Sequence, residues 1–306
     1  MAKRRLKKRF QKLLLAAPVI SGCFTCSPCP DRAEEYPLAD AGAFISNGTF
    51  DCVSACESIR QSKPDSCDPN LLSTDGGLFV SCTYTLTCHT GRRPAGLLPA
   101  EVARGSSHVG AYLASCARLE AASVHAFARL ARELEAHGTP RRLVARAAGA
   151  AADEVRHALS MRAHARRLGG VPLRARIASG SSGPRPLIEL ALENAVEGCV
   201  RETYGALSAL WQARAACDVP LRRALRAIAR DEARHAELSW DLAAWLDTKL
   251  APAERKTVRA AMHAAVAQLE RDVAAEPKLE CVHAAGVPGA AQARGLFESL
   301  REVVWS

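Results

Sequence analysis

The sequence predicts an all-α protein: a four-helix bundle with one long crossover and extra C-terminal helices, preceded by a small Cys-rich, loop-rich segment. From about residue 107 the composition turns to Ala, Leu, Arg and Glu, which are good helix formers. Stretches rich in Gly and Pro divide this region at regular intervals. In contrast, eight of the 12 cysteines lie within residues 23–88, where Gly, Pro, Ser, Asn and Asp recur.

The N-terminal segment 1–22 is typical of an export signal. Seven basic residues and no acidic residue lie there, and the basic stretch leads into the apolar run Leu13–Ile20. A membrane-spanning helix needs about 20 apolar residues, so this run is too short to be one. Residues 1–22 therefore predict a cleaved signal peptide and an exported protein of the periplasm or cell envelope. Ser21-Gly22-Cys23 also resembles a bacterial lipobox, which makes Cys23 a lipidation candidate and a lipid anchor the only predicted membrane contact.

The net charge of +9 does not indicate a nucleic-acid partner. Most of this charge belongs to the basic leader, and the remainder of the chain is close to neutral. A binding surface for nucleic acid would instead need basic residues clustered in the mature protein.

Residues 23–100 predict a disulfide-stabilised segment. A segment so small and polar cannot be held together by an apolar core, and exported proteins often use disulfides instead. Residues 78–86 are its best strand candidate. The alternative is a cytosolic zinc-binding module, because Cys23-x-x-Cys26-x-x-Cys29 has the spacing of metal ligands. No second tight pair of cysteines completes that set of four ligands.

The region 101–250 predicts the bundle, and residues 251–306 predict helices packed on it. Helices are expected at about 108–136, 141–168, 187–216 and 221–250, followed by 253–275 and 290–304. The first and third connections are short, and the second, at 169–186, is long. Short connections join antiparallel neighbours, so two helical hairpins are joined by one crossover.

A doubled motif supplies the candidate chemistry. Asp153-Glu154-Val155-Arg156-His157 recurs later in the chain as Asp231-Glu232-Ala233-Arg234-His235. In each, a Glu and a His three residues apart share one helix face and can bind one metal ion together. The separation of Glu120 from Glu154 matches that of Glu197 from Glu232 almost to the residue, as an internal duplication would require.

A single Glu-x-x-His is better explained as a solvated helix face with ion pairs. The paired pattern is not explained by a solvated face, because burying four carboxylates in a bundle is prohibitively unfavourable unless they are protonated or bind metal.

These residues resemble the ferritin-like diiron-carboxylate superfamily, which includes rubrerythrins, bacterioferritins, acyl-carrier desaturases and the small ribonucleotide reductase subunit. The resemblance covers about residues 107–250. It implies two iron ions, with manganese or zinc as alternatives. One metal would be bound by Glu120, Glu154 and His157, and the other by Glu197, Glu232 and His235. Glu154 and Glu232 would bridge the two metals.

Residues near the predicted ligands in sequence are candidates for supporting roles. Asp153 and Asp231 would accept the ring N–H of a ligating His, each serving the opposite half of the site. Glu193, one turn before Glu197, is a candidate additional ligand. Arg156 and Arg234 are expected in surface or inter-helix ion pairs. His125, Glu202 and Tyr204 are near enough in sequence to line a pocket, although ordinary core or surface roles are favoured for them, and His164 and His263 are assigned no functional role.

The expected function is that of an exported dimetal oxidoreductase acting on dioxygen or peroxide, with a reductant or substrate that the sequence does not identify. Ferroxidase, peroxidase and oxygenase activities all remain open. The alternative is a non-catalytic, metal-stabilised scaffold or binding protein of the envelope. A third interpretation is a helical bundle whose motifs bind no metal.

Overall fold

The computed structural model describes residues 35–37, 44–46, 49–55, 66–72, 78–83, 91–98, 105–178, 183–274 and 277–305. The chain divides into two compact units, a smaller one of Pro28–Thr87 and a larger one that contains Cys88–Ser306. The predicted signal peptide and Cys23 lie outside the described residues.

The smaller unit contains short antiparallel strands. Strands β1 (Glu35–Pro37), β4 (Ser66–Leu72) and β5 (Leu78–Thr83) form a sheet in the order β1-β5-β4. Strands β2 (Ile45–Ser46) and β3 (Thr49–Phe50) form a second pair. The predicted strand at 78–86 is therefore present over its first six residues, and its last three lie outside the described part of the chain.

The larger unit is helical, as predicted. Its helices are α1 (His108–Ala136), α2 (Arg141–Arg167), α3 (Leu187–Glu193), α4 (Thr203–Ala215), α5 (Val219–Asp247), α6 (Pro252–Asp272), α7 (Leu279–Ala285) and α8 (Ala290–Val303). A π-helical segment, Asn194–Glu202, joins α3 to α4. None of the described helices is both long enough and apolar enough to cross a membrane.

Local signals fix where two of the long helices, α1 and α5, begin. Ser107 precedes α1, and its Oγ accepts a hydrogen bond from Gly110 N at 3.0 Å. Asp218 precedes α5, and its carboxylate accepts one from Leu221 N at 2.8 Å. Such caps satisfy backbone N–H groups that have no partner within the helix. The predicted bounds of α1, α2 and α5 agree with the structure within three residues.

The third predicted helix, 187–216, differs from the structure because its middle is π-helical. Backbone hydrogen bonds in a π-helix join residues five apart, so the register of side chains shifts relative to an α-helix. Two side chains bind carbonyl groups where the segment ends: Thr203 Oγ1 donates to Gly198 O at 3.3 Å, and Trp305 Nε1 donates to Cys199 O at 3.0 Å.

Gly198 brings the π-helical segment close to α5. A Cβ atom on Gly198 would lie 2.5 Å from Ser239 Oγ and 2.7 Å from Ser239 Cβ. Only glycine leaves room for this approach. Ser239 is consequently packed directly against the π-helical segment.

Two apolar clusters hold the larger unit together. One joins α1, α2, α3 and α5, and includes Phe127, Leu130, Leu143, Leu190 and Leu242. The other joins α4 to the C-terminal helices and includes Tyr204, Leu207, Leu269, Phe297 and Leu300. The C-terminal helices therefore pack on the bundle, as the amphipathic pattern of the last one predicts.

Residues 91–98, here called the strap, belong to the larger unit. The loop-rich composition of residues 23–100 predicted instead that they belong to the Cys-rich segment. The strap pairs with the long connection after α2: Leu98 N donates to Arg176 O at 2.9 Å, and Ala178 N donates to Gly96 O at 2.8 Å.

Several cysteines are covalently paired. Cys52, Cys116 and Cys217 are in disulfide bonds, whereas Cys199 and Cys281 are buried free thiols.

Candidate metal centre

Six acidic and histidine side chains converge inside the helical unit. They come from α1, α2, α5 and the end of the π-helical segment, and each is at most 2% exposed. The six are Glu120, Glu154, His157, Glu202, Glu232 and His235. Five of them are predicted ligands, and Glu202 is not. We call these six residues the cluster.

The two Glu-x-x-His motifs face each other across the interior of the bundle. His157 Nδ1 lies 3.4 Å from Glu154 Oε2 and 3.9 Å from Glu120 Oε2. Ligand atoms of Glu120, Glu154, His157 and Glu232 all lie within 4.8 Å of one another, close enough to hold one ion.

Glu154 and Glu232 lie between the two histidines. One oxygen of Glu154 is 3.4 Å from His157 Nδ1, and the other is 3.2 Å from His235 Nδ1. Glu232 repeats this arrangement, with oxygens 3.3 Å from His157 Nδ1 and 3.8 Å from His235 Nδ1. Each carboxylate therefore has one oxygen beside His157 and the other beside His235, which is the geometry that a bridging ligand needs.

The two aspartates of the motifs support the histidines crosswise. His157 Nε2 donates to Asp231 Oδ2 at 3.1 Å, and His235 Nε2 donates to Asp153 Oδ2 at 3.2 Å. A carboxylate only accepts hydrogen bonds, so the proton must be on Nε2 and each Nδ1 is directed into the cluster. Each Asp therefore lies against the histidine of the opposite motif.

Two exposed arginines fix these aspartates in turn. Arg234 Nη2 lies 3.1 Å from Asp153 Oδ2 and 2.7 Å from Asp231 Oδ1. Arg156 pairs with Asp153 and lies 3.4 Å from Asp231 Oδ2. Both arginines thus make inter-helix ion pairs between α2 and α5, with the same aspartates that the histidines contact.

The pKa values within the cluster show that its groups act on each other. Burial, followed by the nearby Glu154, raises the pKa of Glu120 well above its usual value. Burial raises the pKa of Glu202 to about 8. Burial opposes protonation of His157, but the carboxylates of Glu154 and Glu232 outweigh it and raise the pKa of His157 to about 11. Protons therefore occupy several of these groups at neutral pH.

The unpartnered atoms of the cluster fit a metal site. In the part of the chain that the structure describes, 11 buried side-chain N and O atoms have no hydrogen bond, and nine belong to the cluster. They include both oxygens of Glu120, Glu154 and Glu232, one of Glu202, and Nδ1 of both histidines. Buried polar atoms are rarely left unpartnered. Carboxylate oxygens with imidazole nitrogens are donors that suit iron, manganese or zinc.

Glu197, the ligand predicted from the third helix, has other partners for both of its carboxylate oxygens. Its Oε2 accepts a hydrogen bond from Arg93 N at 3.1 Å, and its Oε1 lies 3.6 Å from Arg201 Nε. Glu202 is the buried carboxylate of this segment that interacts electrostatically with His235, Glu232 and Glu154, and its Oε2 lies 3.3 Å from Ser239 Oγ. Because backbone hydrogen bonds in a π-helix join residues five apart, Glu202 follows Glu197 by one such step along the segment.

Glu193 is also not placed as a metal ligand. Its Oε1 accepts a hydrogen bond from Arg92 Nε at 3.1 Å, and Oε2 pairs with Arg185. Both carboxylate oxygens are thus used by guanidinium groups.

The remaining residues considered from the sequence have ordinary surroundings. Tyr204 is buried in the core beside α8, as favoured. His125 is exposed and lines a surface cavity of about 650 Å³ together with Arg129, Arg132 and residues of the strap. His164 accepts a hydrogen bond from Arg167 at 3.1 Å.

The sequence carries one signal that could have identified Glu202. Helices α4 and α5 are antiparallel and are connected around Cys217, and Glu202 and Glu232 are equally far from that position in sequence. Residues at equal distances from a tight connection lie at the same level of a helical hairpin, because the rise per residue is constant. The spacing of the internal repeat favoured Glu197 instead, and this spacing was less informative than the geometry of the hairpin.

Comparisons with protein-family models, with curated proteins and with solved structures find no match for this chain. The geometry of the cluster therefore carries the functional argument alone.

Proposed function

We propose that this protein is a ferritin-like dimetal carboxylate protein whose centre binds two iron ions and reacts with dioxygen or peroxide. The observation that carries the proposal is the inward set of unpartnered carboxylate oxygens and imidazole Nδ1 atoms. Four helical segments supply these atoms, as in the ferritin-like arrangement of two lone Glu residues and two Glu-x-x-His motifs.

The proposed ligands divide into two halves around the bridging carboxylates. Glu120 and His157 would bind one ion, Glu202 and His235 would bind the other, and Glu154 with Glu232 would contact both. The distances between these carboxylates and the two Nδ1 atoms support this division.

The chain's own residues would keep the centre ready for redox chemistry. Asp153 and Asp231 keep the Nε2 protons in place and leave each Nδ1 free for a metal. Burial of all six ligands to 2% exposure or less keeps bulk water away. Two iron ions bound there would supply electrons to a small oxidant.

A single-turnover experiment tests the activity. The full chain is loaded anaerobically with Fe²⁺, mixed with dioxygen or hydrogen peroxide, and followed by absorbance and by oxidant consumption. Oxidation of the bound iron with a fixed ratio of oxidant to iron is expected, and the Glu232→Ala variant should lose it. Bound iron that neither oxidant oxidises faster than free iron would contradict the proposed activity.

Deep burial also favours a second candidate, a metal-stabilised scaffold. The cluster ligands are almost inaccessible to solvent, which is typical of a structural metal site. A scaffold would bind metal and gain thermal stability from it without oxidising the metal in the single-turnover experiment. Bound iron that is oxidised faster than free iron would exclude a purely structural role.

The cellular location and the partners remain predictions. The residues that predict export and lipidation lie outside the described part of the chain, and the reductant or substrate is not indicated by the described residues.

A further inference from the structure

The strap places an arginine inside the helical unit. Arg92 is fully buried, which is rare for arginine unless its guanidinium is paired. Its backbone N donates to Ser123 Oγ at 2.9 Å, in α1 and one turn after Glu120. Arg92 therefore lies in the wall of the metal centre, although it precedes the bundle in sequence.

Gly91 allows the strap to come this close. It has a positive φ of 72°, and a Cβ atom there would lie 3.2 Å from Ser123 Cβ and 3.4 Å from Glu120 Oε2. A side chain at this position would be strained and would press on a proposed ligand. The strap backbone is thus packed directly against the ligand helix.

The guanidinium of Arg92 binds both sides of the junction between α3 and the π-helical segment. Nε donates to Glu193 Oε1 at 3.1 Å, and Nη2 donates to Asn194 Oδ1 at 3.2 Å. The planar fork of an arginine fixes two neighbouring acceptors at once. The start of the π-helical segment is therefore held in one register.

Hydrogen bonds continue from Asn194 to the cluster. Asn194 Nδ2 donates to Ser239 O at 2.9 Å. Ser239 Oγ lies 3.3 Å from Glu202 Oε2 and 3.1 Å from the carbonyl oxygen of His235. All of these residues are buried. Arg92 is consequently linked to the two proposed ligands of a single metal.

We propose that Arg92 is a positioning residue of the metal centre, which acts through Asn194 and Ser239 to hold Glu202 in place for the metal that Glu202 and His235 share. This role rests on the proposed metal centre. It predicts that the two metals respond differently to changes at Arg92, because the hydrogen-bonded path leads to one half of the cluster.

The test is a titration of the full chain with Co²⁺, whose visible absorbance reports ligand geometry. Wild type is expected to bind two equivalents. In Arg92→Lys the positive charge remains but the planar fork is lost, so one equivalent should bind more weakly, by at most the roughly 10–100-fold that removal of a direct partner of a metal ligand costs. Its spectrum should also change, and the affected equivalent should be the one that Glu202→Ala loses.

Two further variants separate positioning from general destabilisation. Ser239→Ala removes only the hydroxyl next to Glu202 and should weaken the same equivalent, even if Arg92→Lys fails to fold. Arg167→Gln removes a paired arginine elsewhere, where its guanidinium binds Asp218 at 2.6 and 2.9 Å, and should leave both equivalents unchanged.

The outcomes separate the role of Arg92 from the existence of the metal centre. Two tight equivalents with wild-type spectra in Arg92→Lys and Ser239→Ala would overturn the role of Arg92 and leave the metal centre standing. A wild-type chain that binds no Co²⁺ and no Fe²⁺ would overturn both.

Discussion

Without metal, the protein should lose stability as the pH rises through neutrality. Burial raises the pKa of Glu202 from 4.5 to about 8. Burial lowers the pKa of His157, but Glu154 and Glu232 outweigh it and raise this pKa from 6.5 to about 11. Between pH 6.5 and 8 the folded chain therefore keeps most of the proton on both groups, whereas the unfolded chain has released most of both. A state that binds more protons is disfavoured as pH rises, so the free energy of unfolding falls.

The expected size of this effect follows from proton linkage. Each proton bound only by the folded state changes the free energy of unfolding by about 1.4 kcal/mol per pH unit. Two such protons give at most about 2.8 kcal/mol per unit, or about 3 kcal/mol from pH 6.5 to 8, since one group is half titrated at each limit. Glu120 and His235, whose pKa values are also raised, act in the same direction. The loss is a large fraction of the roughly 5–15 kcal/mol by which proteins of ordinary stability are folded.

The assay is urea unfolding of the metal-free chain, with its disulfides intact, at several pH values from 6.5 to 8. Glu202→Gln cannot release the carboxyl proton, so its slope should be smaller by about 1.4 kcal/mol per pH unit. The metal-loaded chain should show little slope, because metal replaces the protons. A free energy of unfolding that is constant over this pH range, or equal slopes in wild type and Glu202→Gln, would show that these protons are not bound in the folded chain.

Three further predictions follow from the site. Glu202→Ala should lose at least one iron per chain, whereas Glu197→Ala should keep both, because Arg93 N and Arg201 already occupy the Glu197 carboxylate. Iron analysis of both variants tests this, and the opposite result would restore Glu197 as the ligand. Asp153→Asn should lower metal affinity by about 10–100-fold, since His235 loses its charged acceptor, and unchanged affinity in a competitive chelator titration would contradict this role. Gly198→Ala should lower the free energy of unfolding by about 1–3 kcal/mol, because the added methyl group would lie 2.5 Å from Ser239. Gly149→Ala is the matched control: nothing lies within 4 Å of the added methyl group there, so the folded protein should become more stable by about 0.5–1 kcal/mol.

Much of the helical architecture could be predicted because local signals determine it. Ser107 and Asp218 cap the helices that follow them. The Glu-x-x-His spacing fixed which side chains share a helix face, and the duplication predicted that Asp153 and Asp231 would each serve the opposite histidine. Both features depend on regular α-helix geometry, which sequence periodicity reveals.

The third helix could not be predicted in the same way. Its π-helical segment depends on long-range contacts, namely the close approach of Gly198 to Ser239 and the hydrogen bond from Trp305 to Cys199 O. The spacing of the internal repeat selected Glu197 and gave no sign of the π-helical segment that ends at Glu202. The strap was missed for a related reason, because an arginine after a glycine in a loop-rich stretch gives no sign that it will be buried beside a ligand helix.

The most direct test of the account is the metal content of the full chain, loaded anaerobically with Fe²⁺ and measured by mass spectrometry beside Glu232→Ala. The full chain is needed because the strap contributes to the wall of the site. Two iron ions per chain in wild type, with loss in the variant, are predicted because Glu232 presents an oxygen to each half of the cluster. Wild type without stoichiometric metal, or a variant that retains both ions, would contradict the dimetal centre.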